Sequence, residues 1–249
     1  MLDNGKIDVL KSAASSMIEQ LIVTDNGNRS VKIGIAPYST SVNAQPYINK
    51  VKAPVDIRGR PEDRCVTERR GVPAFSDETP GRGATFPGRA TSCPVNSVVA
   101  LRSDKTGLLD EINALTPGGM TAGHLGIAWA WYLVSPEWAD VWPPDSQPAP
   151  YTDRKTMKAV IVMTDGMFNT RFEAGNGSSA QQAARLCDNI KAKGVAVYTI
   201  GFDAPADVLP LLRSCATSTD AFYDARDAAG LKAAFDSIAQ KLSALRLSN

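Results

Sequence analysis

What this sequence has little of narrows its chemistry first. It holds one histidine, His124, and its four cysteines are never closer than 28 residues, so there is no CxxC pair and no ligand set for a zinc site. No GxSxG stretch occurs, and a Ser-His-Asp hydrolase would have His124 alone to draw on. The longest apolar run, Ile127–Val134, falls far short of the ~20 residues that span a membrane. The first residues carry no apolar stretch of the kind a signal peptide needs. Neither sign of charge dominates. With 27 basic and 26 acidic residues the net charge is +1, which argues against nucleic-acid and membrane-surface roles, since both rest on a basic excess.

What is present is an ordinary globular composition, 43% hydrophobic and 21% charged over 249 residues, enough for a sizeable core. Four cysteines allow three pairings, and reduced thiols in a cytosolic core are a further reading. We favour two sequence-local disulfides, Cys65–Cys93 and Cys187–Cys215, and with them an oxidising compartment.

Along the chain, Ile7, Leu10, Ala14, Met17, Ile18 and Leu21 recur at helical spacing behind a polar Asp3-Asn4-Gly5 turn. Residues 31–39 alternate as a strand. From 44 to 100 the pattern dissolves into Pro, Gly, Arg and Thr, an irregular insertion whose arginines, mixed with acids between Pro61 and Arg89, read as a solvated loop. Leu108, Leu109, Ile112 and Leu115 mark a short helix that Pro117 and two glycines end. The helix through Ile127–Val134 is apolar on every side and therefore covered on both. All four tryptophans lie between 129 and 142, and packing, not ligand stacking, is the simpler role for them.

"KAVIVMTDG" and "VAVYTIGF" are continuous apolar runs of the kind that form central parallel strands. Between them Ser178 or Ser179 caps a helix, with Gln181 or Gln182 three residues on, and Gly194 stops it. A short helix at "ADVLPLLRSCA", a strand at "AFYDA" and a closing helix capped by Asp227 complete the alternation. The expected fold is α/β: one domain over 1–249, a doubly wound, mostly parallel sheet with helices on both faces. Ligands of such sheets sit beyond the carboxyl ends of the strands. Asp165 falls there, though Asp-Gly at 165–166 is also an ordinary turn. Thr121 opens the apolar helix, where an N-cap is its plainest role.

Together the GxTxxxxG of Gly119, Thr121 and Gly126 and the TDG of Thr164, Asp165 and Gly166 resemble two of the three loops of the metal-ion-dependent adhesion site in von Willebrand factor A domains. That family's first loop, a DxSxS closing the first strand, has no counterpart here. Met1 stands where the family's methionine after that motif would. The expectation is therefore an A domain that starts just past its DxSxS, with its first, central strand missing. The stretches "TAGHLGIAWAWYLVSPEWADVWP", "GNGSSAQQAARLCDNIKAKGVAVYTIGF", "CVTERRG" and "LKAAFDSIAQKLSALRLSN" are similar to TadG-like proteins of tight-adherence (Flp) pilus systems, over essentially the whole chain.

The resemblance implies a non-enzymatic binding and assembly module of the pilus machinery on the extracytoplasmic side of the cell envelope. Its partners would be proteins, and its membrane contact would run through an anchor that this sequence does not include. It implies Thr121 and Asp165 as oxygen ligands of Mg²⁺, or of Mn²⁺ or Ca²⁺, with Gly119 and Gly166 supporting the loops and Asp165 acting directly or through water. Without the Asp and two Ser of the first loop, cation binding is expected to be weak or absent. Without the first strand, the strands at 31–37 and 159–164 should either leave a gap or pair directly. The rival reading is a phosphatase-like hydrolase with Asp165 as nucleophile, but Met167 stands where haloacid-dehalogenase-like enzymes carry a second Asp. The sequons at Asn28 and Asn176 are taken as chance.

Overall fold

The computed structural model describes residues 5–22, 31–54, 57, 59–81, 83–87 and 92–248; Met1, the Asp3-Asn4 pair and the sequon at Asn28 lie outside them. Helix α1 (Lys6–Leu21) leads into β1 (Ile33–Ile35), a much shorter strand than the alternation at 31–39 suggests. The insertion holds two small strands, β2 (Val42–Asn43) and β3 (Cys65–Val66), paired antiparallel, and a single-turn helix α2 (Ile48–Val51). Then come β4 (Val99–Arg102), α3 (Lys105–Asn113), α4 (Gly123–Val134) and β5 (Ala159–Thr164). The chain closes with α5 (Ser179–Ala192), β6 (Ala196–Phe202), α6 (Leu209–Cys215), β7 (Phe222–Ala225) and α7 (Ala228–Ser248).

Strands β5, β6 and β7 form a parallel sheet in that order, so the architecture is α/β. Both faces are covered, and β5 shows why its sequence is apolar at consecutive positions. Val160 and Val162 pack with α4 and α5, while Ala159, Ile161 and Met163 pack with α1 and α7. Local signals set the helix ends. Ser178 accepts from the Gln181 amide and Gln181 returns the bond, a reciprocal cap, and Gly194 leaves α5 at φ 75°. The Asp227 carboxylate accepts from the Gly230 amide at the start of α7.

Two expectations need correcting. Strand β4, which begins in the last two residues of the stretch read as irregular, pairs antiparallel with β1; four residues that follow Pro-Val-Asn-Ser so closely carry too little periodicity to show. Nor is the insertion a solvated loop. Arg69 is 1% exposed, donates to the carbonyls of Glu78 and Ser76 and to the Tyr132 hydroxyl, and lies 5.0–5.7 Å from the rings of Tyr132, Phe86 and Trp138. Carbonyl dipoles and aromatic faces together replace the water its guanidinium gives up.

The four tryptophans are core. Trp129, Trp131, Trp138 and Trp142 are all buried, with Tyr132 stacked on Trp138 at 4.0 Å and Phe86 and Val51 from the insertion completing the outer cover of α4. Both disulfides expected from spacing are present, Cys65–Cys93 with a Cα separation of 5.6 Å and Cys187–Cys215 with 5.0 Å.

Of the two arrangements expected for β1 and β5, a gap or direct pairing, the structure has the gap. Among the described residues β1 pairs with β4 and β5 with β6, and a cavity of about 1220 Å³ lies between β1 and β5. No helix among the described residues is long and apolar enough to cross a membrane.

Candidate site at the carboxyl end of the sheet

Three loops meet where β5 ends. The first follows β1: Ser39 and Thr40. The Ser39 carbonyl accepts from the Ala122 amide at 2.8 Å, and the Thr40 hydroxyl accepts from the Met120 amide at 2.9 Å. The second is 117–122, turned by Gly119 at φ 78°, where a Cβ would come within 2.8 Å of Thr40 Oγ1, so glycine is required on both conformational and steric grounds. The third follows β5. Thr164 Oγ1 bonds both the amide and the carbonyl of Gly166, which folds the Asp165-Gly166 turn back across the sheet's end.

Loops two and three are stitched together. The Asn169 and Thr170 amides donate to the Thr121 carbonyl at 3.0 and 3.3 Å, and the Thr121 amide donates to Asn169 Oδ1 at 3.1 Å. A Cβ on Gly166 would stand 3.5 Å from Thr121 Oγ1. Thr121 and Asp165 both line the mouth of the cavity between β1 and β5 and are half-buried. Helix α4 takes Ala122 as its N-cap with no side-chain cap bond, so the Thr121 hydroxyl is not spent on capping. Two large apolar side chains stand out beside these polar groups, Met120 at 55% and Met167 at 41% exposure.

Gly126 and Gly123 owe their identity to packing. A Cβ on Gly126 would sit 2.3 Å from the Tyr38 ring, and one on Gly123 the same distance from the Phe168 ring. Tyr38 reaches across the cavity, and its hydroxyl donates to the Met163 carbonyl at 2.9 Å. Burial pushes this phenol up to about 12, against the pull of a bond with Thr164, so it remains a donor.

Behind the loops lies a row that sequence reasoning missed. His124 Nδ1 is 2.8 Å from Ser179 Oγ, and His124 Nε2 is 3.4 Å from Glu68 Oε2. The other Glu68 oxygen accepts from the amides of Phe172 and Glu173 at 2.6 and 2.8 Å. Burial opposes the Glu68 carboxylate, yet His124 and those amides outweigh it and hold its pKa down to about 2. The order Ser, His, carboxylate matches that of a hydrolytic triad, but Ser179 is 2% exposed and heads α5 inside the core. Its role here is to lock the insertion, α4, α5 and the loop after β5 to one another.

As a cation site the donor types suit a hard ion: hydroxyl and carboxylate oxygens. Among the described residues no cluster of three or more His, Cys, Asp or Glu exists, so the oxygen donors gathered here are the hydroxyls of the loops and the single Asp165 carboxylate. Ser39, Thr40 and Asn169 were not found from sequence, where Ser39 was read as the last residue of a strand.

No family model matches the sequence, and no curated protein does either. Among solved structures, the pilus adhesin SpaC from Lactobacillus rhamnosus GG shares the fold. Its open conformation superposes with a TM-score of 0.56 at 11% identity over 96% of this chain, and a second form gives 0.56 at 12%. The chain spans 28% of that adhesin's length.

Proposed function

We propose that this chain is a von Willebrand factor A-like, doubly wound binding module, non-enzymatic, serving a tight-adherence pilus system of the TadG-like kind at the extracytoplasmic face of the cell envelope. One observation carries the reading: the Thr121 hydroxyl and the Asp165 turn come together at the carboxyl end of the parallel sheet, beside exposed Met120 and Met167. Polar oxygens ringed by flexible thioethers suit the docking of a protein surface. The fold shared with part of a pilus adhesin and the two disulfides are in keeping with a surface role. Partners are proteins of the pilus machinery.

In this reading the cation site is incomplete. Thr121 and Asp165 would hold Mg²⁺, Mn²⁺ or Ca²⁺ only with further oxygen donors supplied from outside these residues. Titration calorimetry with magnesium should therefore show no binding tighter than about millimolar, a weakness in line with so few ligands. Sub-millimolar binding that Thr121→Ala and Asp165→Asn abolish would mean that the site is complete, and would overturn this part of the reading. A generic phosphomonoester assay should show no turnover; turnover lost in Asp165→Asn would favour a hydrolase.

A further inference from the structure

We propose that the Cys65–Cys93 bridge is exchangeable: an external dithiol enters at Cys93, and Arg64 holds the Cys93 thiolate that reduction releases. Reduction then frees the segment that backs the loop after β1. The exchange goes beyond the docking reading and stands apart from it; the freed loop belongs to the same surface.

The two bridges sit in different surroundings. Arg64 Nε donates to Cys93 Sγ at 3.3 Å, and among the described residues its guanidinium pairs with no carboxylate. Asp63, next in sequence, holds Arg60 instead: Oδ2 accepts from the Arg60 amide at 2.9 Å, and Oδ1 lies 3.9 Å from Arg60 Nε. A disulfide sulfur is a weak acceptor whereas a thiolate is a charged one, so the Arg64 bond strengthens when the bridge opens. A group that favours the reduced form makes a disulfide more oxidising and easier to open. At Cys187–Cys215 no cation among the described residues donates to either sulfur. Both residues are 1% exposed, and Cys215 Sγ lies 4.0 Å from the Ala183 carbonyl oxygen, whose negative end opposes a thiolate.

Access sets the order of events. Cys93 is half-buried whereas Cys65 is 0% exposed, so Cys93 Sγ is the sulfur that a reagent reaches. One thiolate of the dithiol attacks it, the S–S bond breaks, and the electron pair leaves on Cys65 Sγ, which takes up a proton. The dithiol's second thiolate then attacks its own sulfur in the mixed disulfide. The pair of that bond leaves on Cys93 Sγ, beside the Arg64 guanidinium. The dithiol ends as a disulfide and two electrons have passed to the cysteines. The second proton stays in solvent while Cys93 is a thiolate.

The bridge backs the first loop of the site. Cys65 pairs with Asn43 in the β2–β3 ladder, and the Asn43 side-chain amide donates to the carbonyls of Pro94 and Val95 at 3.0 and 3.1 Å. The Ser41 hydroxyl donates to the Ser92 carbonyl. Ser41 directly follows Ser39 and Thr40, which hold the Ala122 and Met120 amides. With the bridge open, segment 92–95 is held to β2 and β3 by non-covalent contacts alone.

The probe is dithiothreitol acting on the folded full chain, with new thiols trapped by iodoacetamide and located by mass spectrometry. Cys65 and Cys93 should become alkylated at least tenfold faster than Cys187 and Cys215, while circular dichroism shows the fold retained. Glutathione, a monothiol, should be captured on Cys93 and not on Cys65. In the reduced chain, alkylation of Cys93 against pH should have its midpoint below the ~8.5 of a free thiol. Arg64→Gln should raise that midpoint and shift the exchange equilibrium at least tenfold toward the disulfide, about 30 mV. Arg64→Lys, which keeps the charge, should recover part of both effects. A purely structural role for Arg64 would leave the midpoint where it is, and should Arg64→Gln fail to fold, the midpoint of the parent decides. Amide exchange at 41–43 should quicken at least tenfold on reduction, with 159–164 unchanged. Equal opening of the two bridges, glutathione on Cys65, a Cys93 midpoint at or above ~8.5, or unchanged exchange at 41–43 would each overturn the proposal.

Discussion

Tyr38 and Met163 are joined across the cleft: the phenol on the segment after β1 donates to the carbonyl on the free edge of β5 at 2.9 Å. The bond ties together two pieces of sheet that share no strand ladder. Tyr38→Phe removes it and leaves the carbonyl without that donor, a loss of about 1 kcal/mol. For a chain of this size the melting temperature should fall by roughly 2–4 °C. Because the phenol is raised to about 12, the deficit should be the same at pH 6 and pH 9 in thermal melts.

The same tyrosine dictates Gly126. With only 2.3 Å between a new Cβ and the ring, Gly126→Ala forces Tyr38 or helix α4 to move, at about 1–3 kcal/mol. In Tyr38→Ala the obstacle is gone. A double-mutant cycle in urea should therefore give a coupling energy of at least ~1 kcal/mol between the two sites. Additive effects would show that Gly126 answers to something other than Tyr38.

Glu68 makes stability depend on acid. Its carboxyl pKa falls from 4.5 to about 2 on folding, so the native state binds fewer protons than the unfolded chain between those values. The contribution is complete above pH 4.5, shrinks as the pH falls toward 2, and amounts to about 3 kcal/mol. Melting temperatures of the parent protein should drop steeply over that window. Glu68→Gln should melt lower at neutral pH and lose less on acidification, because it has no proton to take up.

The Cys187–Cys215 bridge joins α5 to α6 and closes a loop of 28 residues, and both sulfurs are buried. Replacing both with serine should lower stability by roughly 3–4 kcal/mol in the chain-entropy treatment of such loops. Chemical denaturation of the double variant against the oxidised parent measures it, and a loss under 1 kcal/mol would show that the unfolded chain gains little freedom from the cut.

Much of the fold was legible in local pattern. The apolar runs of β5 and β6, the Ser178–Gln181 cap and the Gly194 stop are short-range signals, and each element formed where its signal stood. Strand β4 was not legible, because a four-residue strand has almost no period to detect. Arg69 was misread for a different reason: a guanidinium looks solvated until carbonyls and rings from distant segments surround it. Of the candidate site, Thr121 and Asp165 were visible through motif spacing. Ser39, Thr40 and Asn169 were not, since their contacts span about eighty residues and about fifty.

By itself the sequence determined the alternation of helices and strands and the burial of β5 on both faces, because these depend on residues a few positions apart or on composition along one segment. The tertiary structure alone decided that β1 and β5 stand apart with their edges facing a cavity, and that His124 lies between Ser179 and Glu68. Whether two strands pair, or whether a buried imidazole finds its partners, is set by how packed helices hold distant segments. No short stretch of chain records that distance.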